Sequence, residues 1–156
     1  MESSNTAGSN TAETQETRGC KLLEEVLNDG GGFLPDGLRK TLKDFVYMYR
    51  PRTRLNVAVF VCRRGGGEVT LSLVYDSEAV FDACLEACVG AARRMQANAI
   101  DAVDLCEAEC RGAVDKVVKQ DVKFGVEVLR WVLRQDGYRV KTETRSDSGA
   151  TLTVVL

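Results

Sequence analysis

The chain has 156 residues, 44% of them hydrophobic, which is enough for one domain with a sizeable core. Its formal net charge of −2 argues against a general nucleic-acid binder, and the absence of histidine removes the usual general base near neutral pH. No apolar run approaches the ~18 residues of a membrane span and the N-terminus lacks the apolar core of a secretory signal, so the expected setting is intracellular and soluble, where thiols are normally reduced.

Residues 1–18 carry Ser, Thr, Asn, Gly, Ala and Glu but no aliphatic residue beyond Met1 and the alanines, so a disordered leader is expected there and a single α+β domain over 19–156. Leu22, Leu23, Val26 and Leu27 form a short helical stripe, ended by Asn28-Asp29-Gly30-Gly31-Gly32. The triple glycine lacks the lysine and Ser/Thr of a phosphate-binding loop and reads as a flexible turn. Pro35 opens a second helix through Leu38, Leu42, Phe45, Val46 and Tyr49, and Pro51 stops it.

A β-hairpin follows. Leu55 to Cys62 is almost wholly apolar, while Val69, Leu71, Leu73 and Tyr75 alternate with Glu68, Thr70 and Ser72; Arg63-Arg64-Gly65-Gly66-Gly67 makes the turn. Arg50, Arg52 and Arg54 precede the first strand, and Arg63 and Arg64 lie at its far end. These five are the candidate anion contacts. A strand of roughly eight residues at ~3.3 Å each separates the two groups by about 25 Å, so they do not form one small anion pocket, and solvated loops are the default reading.

Four of the six cysteines then fall in two pairs of equal spacing, Cys84/Cys88 and Cys106/Cys110. On a helix, Phe81, Cys84, Leu85, Cys88, Ala92 and Met95 share one stripe, and Ile100, Val103, Cys106, Cys110, Ala113, Val114 and Val117 share another. A reversal near Gln96-Ala97-Asn98, with Asn98 capping the second helix, brings the stripes face to face. Cys84 then lies near Cys110, and Cys88 near Cys106. A disulfide needs Cα atoms roughly 4.4–6.8 Å apart, closer than ordinary helix packing of about 8–10 Å, and Ala83, Ala87, Gly90, Ala91, Ala102 and Gly112 are the small residues offered for that approach.

The favoured expectation is that these four are reduced thiols filling a helix seam, with disulfide stapling as the alternative; zinc ranks last, since its cysteine ligands usually come as CxxC pairs on turns. Between Cys84 and Cys110 the pattern resembles the twin CX3C motif of the small chaperones of the mitochondrial intermembrane space, a resemblance that implies two disulfides stapling a helical hairpin. Asp101, Asp104, Glu107 and Glu109 fall on the wet side of the second helix and read as solubilising charge.

Val118, Val122, Val126, Leu129, Trp131, Val132 and Leu133 mark a further helical segment, separated from the last by Gly112 or Gly125 and ended at Asp136-Gly137. A last hairpin runs from Tyr138 to Thr144, turns at Ser146-Asp147-Ser148-Gly149 and returns from Thr151 to Leu156. This C-terminal run resembles the endings of many uncharacterised small proteins of large DNA viruses, which implies a virion or host-interaction role. Residues 38–75 and 126–156 share the plan helix, strand, turn, strand, either as a pseudo-repeat around the cysteine hairpin or as two unrelated units. The fold expected is α+β: two β-hairpins forming one antiparallel sheet packed with helices, a central antiparallel helical hairpin carrying the paired cysteines, and Leu55, Val57, Val59, Val61, Leu71, Leu73, Leu152 and Val154 buried together.

The function expected is that of a non-enzymatic structural or protein-interaction domain with no catalytic site, metal or cofactor. A protein partner or a homo-oligomer is expected, without nucleic acid or membrane. The competing readings are a redox-dependent hairpin protein, a viral virion or host-interaction protein, and a weak anion- or nucleic-acid-binding module using the arginines.

Overall fold

The computed structural model describes residues 20–28, 33–95 and 98–156; the leader, the triple glycine and Gln96-Ala97 lie outside the described residues. In chain order the elements are β1 (Cys20–Leu22), α1 (Leu23–Asn28), α2 (Asp36–Tyr49), a short 3-10 turn (Arg50–Arg52), β2 (Asn56–Arg64), β3 (Glu68–Asp76), α3 (Glu78–Arg94), α4 (Ala99–Gln135), β4 (Arg139–Ser146) and β5 (Gly149–Val155).

The five strands form one antiparallel sheet in the order β1-β2-β3-β5-β4. The expected hairpins are β2-β3 and β4-β5, joined through β3 and β5 in a register that sets Leu71 opposite Leu152. Their order relates them as a twofold rotation about an axis normal to the sheet would, with α2 and the second half of α4 serving as the two helices. Period-2 alternation puts Val59, Val61, Leu71, Leu73, Leu152 and Val154 on one face, where they are fully buried against Leu38, Leu42 and Phe45 of α2 and Val122, Val126 and Leu129 of α4. Leu55 is buried in the same cluster and Val57 packs against it half-buried. The opposite face carries the register rows Cys62, Thr70, Thr153, Thr142 and Phe60, Ser72, Thr151, Thr144, buried at Cys62, Thr70 and Ser72 and exposed at Thr142 and Thr144 on the β4 edge.

Two local features differ from expectation. The stripe beginning at Leu22 is split, because Cys20, Lys21 and Leu22 pair with Cys62, Val61 and Phe60 as a fifth strand before α1 starts at Leu23. Neither Gly112 nor Gly125 separates two helices: α4 runs unbroken over 37 residues, about 55 Å at 1.5 Å per residue. A glycine inside a helix costs only about 1 kcal/mol relative to alanine, which the burial of Val114, Val118, Val122 and Val126 on one side of α4 outweighs.

The end of α4 is defined in the expected way. Gly137 adopts φ +86°, and the N–H groups of Gly137 and Tyr138 donate to the carbonyls of Arg134 and Leu133 at 3.0 and 2.9 Å, closing the helix with a left-handed glycine. Beside it the buried Thr41 hydroxyl lies against the Gly37 carbonyl and the Asp136 carboxylate, tying α2 to the last turn of α4.

Candidate functional site

α4 does two jobs along its length. From Val114 onward its apolar side joins the core, whereas the residues before Val114 meet α3 instead. Those first fifteen or so residues extend about 22 Å at the helical rise, and α3 doubles back along them. Val80 and Phe81, in the first turn of α3, touch the core; α3 as a whole contains no fully buried residue and packs substantially against α4 alone. The pair is an arm.

Local sequence explains both of its ends. Asp76 Oδ1 accepts the Glu78 N–H at 3.0 Å, Glu78 lies in the first turn of α3, and Arg93 and Arg94 lie in its last, each sign matching the helix dipole. At the start of α4, Asn98 Oδ1 accepts from the N–H groups of Ile100 and Asp101 at 2.9 and 3.3 Å, the expected cap.

The four arm cysteines are bonded as Cys84–Cys110 and Cys88–Cys106, with Cα separations of 5.9 and 5.7 Å. The facing geometry is as the spacing predicts; the expectation of reduced thiols is not met. That expectation rested on the burial preference of unpaired cysteine and on compartment, whereas at these separations the two sulfurs of each pair share one site and are bonded. The close approach is made by the buried Ala102 and the half-buried Ala91 and Ala92. Ala83, Ala87 and Gly112 face outward, and a Cβ built on Gly112 meets no atom within 4 Å.

A third bond joins Cys20 to Cys62, directly opposed residues of β1 and β2 with Cα atoms 4.1 Å apart. Sequence reasoning passed over this pair, although two cysteines left outside a paired set were the signal. All six sulfurs are thus bonded, leaving no thiolate to ligate zinc or act as a nucleophile.

The far end of the arm exposes large apolar side chains among charged ones. Met95, Ile100 and Leu105 are 81%, 74% and 69% exposed, and Leu105 borders a groove of about 380 Å³ floored by Ala92, Ala102 and the Cys88–Cys106 bridge. Asp101, Asp104 and Glu109 are exposed, while Glu107 is half-buried and ion-paired with Arg111 at 3.7 Å. At the other end, where the arm meets the body, a cleft of about 420 Å³ lies among Tyr75, Phe81, Val114 and Val118, with Asp76 and Asp147 at its rim. Arg111 lies over the Phe81 ring at 5.6 Å and braces that junction.

The arginines named as anion contacts lie at opposite ends of β2, as the strand length requires. Arg50 is ion-paired with Glu24, and Arg63 sits over the Phe33 ring at 5.9 Å, while Arg52, Arg54 and Arg64 are exposed. Arg50 and Arg52 border a common surface depression whose lining does not include Arg63 or Arg64.

Behind the arm's root, Tyr49 and Tyr75 form a polar contact that periodicity had placed only as core. Their hydroxyls approach each other and both reach the Asp121 carbonyl, at 2.9 and 3.1 Å, while Asp121 Oδ2 accepts from the Thr53 hydroxyl at 2.6 Å. Burial pushes both phenols above their ordinary range; the shared hydrogen bond raises Tyr75 further and, with Thr53, partly offsets the rise at Tyr49. Among the described residues, no helix is long and apolar enough to cross a membrane. Comparison of the chain with protein-family models, curated proteins and solved structures finds no match in any of the three.

Proposed function

We propose that this protein is a non-enzymatic interaction module that presents the α3–α4 arm to a protein partner in an oxidising compartment. The observation that carries this reading is the placement of Met95, Ile100 and Leu105 at the end of a stapled arm standing off the body. Large apolar side chains left in water close together in the chain at the end of a projecting element suit a contact site. The arm also costs two cross-links that the α/β core does not use. Three side chains are far fewer than the 20–30 residues a side of a standard interface, so the partner supplies a concave surface that closes around the tip rather than a second tip. Three disulfides fit an oxidising compartment better than a reducing one.

The test compares the full chain with a Met95→Ser/Ile100→Ser/Leu105→Ser variant, both carrying a photo-crosslinker at position 104. A partner crosslinked by the first and lost by the second, with equal melting temperatures, supports the reading. Partners retained equally by both refute it. Self-association by sedimentation that disappears in the variant would assign the tip to a second copy instead.

A further inference from the structure

The arm has almost no packing of its own. α3 contributes no fully buried residue, and the helix seam buries only Ala102, Cys106 and Cys110, at 4%, 3% and 1% exposure. Two of those three are members of the disulfides. The other contacts are made by half-buried residues, among them Leu85, Val89, Ala91, Ala92 and Val103 in the arm, with Val80, Phe81 and the Arg111 stacking at the root. A helix of 17 residues whose apolar face is only half-buried is marginal in water, so the two bonds carry much of what holds α3 down. The body, by contrast, has its core from Val114 of α4 onward, from α2 and from the sheet, and none of the described residues between 84 and 110 belongs to that cluster.

We propose that the arm is a redox-controlled element: a dithiol reductant opens Cys84–Cys110 and Cys88–Cys106 and releases α3, while the α/β body stays folded. The attacking thiolate reaches the α3 side first, because Cys84 and Cys88 are half-buried whereas Cys106 and Cys110 are sealed against the seam. Attack on the Cys88 sulfur forms a mixed disulfide and expels the Cys106 thiolate, which takes up a proton. The second thiol of the reductant then attacks its own bonded sulfur and expels the Cys88 thiolate, which is protonated in turn. The reductant leaves as a disulfide, and its electron pair resides in two cysteine thiols. The same exchange opens Cys84–Cys110. Release proceeds from the tip toward Phe81, where the root contacts persist.

With α3 gone, the groove beside Leu105 loses the wall that Cys88 and Ala92 provide. The switch itself needs no partner; its consequence for docking rests on the reading of the arm as a contact surface. Hydrogen exchange on the full-length Cys20→Ala/Cys62→Ala variant, in which the two arm bonds are the disulfides left to reduce, with and without dithiothreitol, tests the switch without a partner present, so its failure is distinct from failure of that reading. Amides of residues 84–110 are expected to exchange about a hundredfold faster on reduction, the scale set by unlinking loops of this size, while those of β2, β3 and β5 keep their protection. A Cys84→Ala/Cys88→Ala/Cys106→Ala/Cys110→Ala variant, which retains Cys20–Cys62, is expected to show the same pattern without reductant. Unchanged protection of 84–110 overturns the proposal. So does simultaneous loss in arm and sheet, or a quadruple variant that does not fold, since either makes the arm bonds part of the body's own stability.

Discussion

The hydroxyls of Tyr49 and Tyr75 lie 2.7 Å apart directly over Gly125, where a Cβ would come within 2.2 Å of the Tyr75 oxygen. Two phenolic protons serve three short contacts, since each oxygen also approaches the Asp121 carbonyl: one hydroxyl donates to the other, which donates to the carbonyl. The missing side chain at 125 is what lets the end of α2, the end of β3 and the middle of α4 meet at one point.

Gly125→Ala is therefore expected to destabilise the body by about 1–3 kcal/mol, despite the better helix propensity of alanine, because the added methyl overpacks the tyrosine pair. Tyr75→Phe alone should cost about 1 kcal/mol by removing one hydrogen bond. In the double variant the clashing oxygen is gone, and urea unfolding should show a smaller total loss than the sum of the two. Strict additivity would mean that Gly125 and Tyr75 do not meet.

The same pair predicts an alkaline limit. Both phenols are raised above the unfolded value near 10, so between that value and the folded one the unfolded chain has lost a proton that the folded chain keeps. Their contribution is fully present below about pH 10 and is lost as pH rises beyond it, at about 1.4 kcal/mol per pH unit for each phenol. Urea midpoints measured from pH 8 to 11 should fall above pH 10 for the wild type. They should fall less steeply for Tyr49→Phe/Tyr75→Phe.

The three disulfides are expected to differ in what they stabilise. Cys20–Cys62 closes a loop of 42 residues that holds β1, α1 and α2, all ordered parts of the body, so Cys20→Ala/Cys62→Ala should cost up to about 4 kcal/mol. Removing both arm bonds frees residues that are then loose before and after the body unfolds, and the closure term cancels. Trp131, the single tryptophan, is half-exposed on the stretch of α4 whose other side packs on the core, and so reports on the body rather than the arm. Its unfolding midpoint should drop sharply for the first pair of substitutions and little for the arm substitutions.

Val59 is 2% exposed in the centre of β2, opposite Leu73. Val59→Asp places an unpaired carboxylate in the core, at a cost of several kcal/mol, and should abolish cooperative melting by circular dichroism. Wild-type melting of this variant would contradict the sheet register described above.

Local patterns carried much of this architecture in readable form. The alternation from Val69 to Tyr75, the cap at Asn98, the terminating Gly137 and the three-and-four spacing of the arm cysteines each act within a few residues, so sequence order alone reveals them. What was not legible depends on distance. β1 is three residues long and exists because Cys62, Val61 and Phe60 offer it an edge forty residues away. The unbroken course of α4 through Gly125 depends on Tyr49 and Tyr75, which lie far from it in the chain. The oxidation of the arm depends on surroundings that sequence order does not record.

The continuity of α4 has a mechanical consequence. One rod runs from Asn98 to Gln135, and no hinge interrupts it where arm becomes body. A sideways load on the tip is therefore a torque about Val114, with roughly 22 Å of lever outside and about 33 Å bedded on the sheet by Val118, Val122, Val126 and Leu129. The longer side is the anchored one. While its two cross-links hold α3 alongside as a splint, the bearing of the tip is set by packing on the sheet, and a pull at Ile100 is felt at the tyrosine seat beneath Gly125.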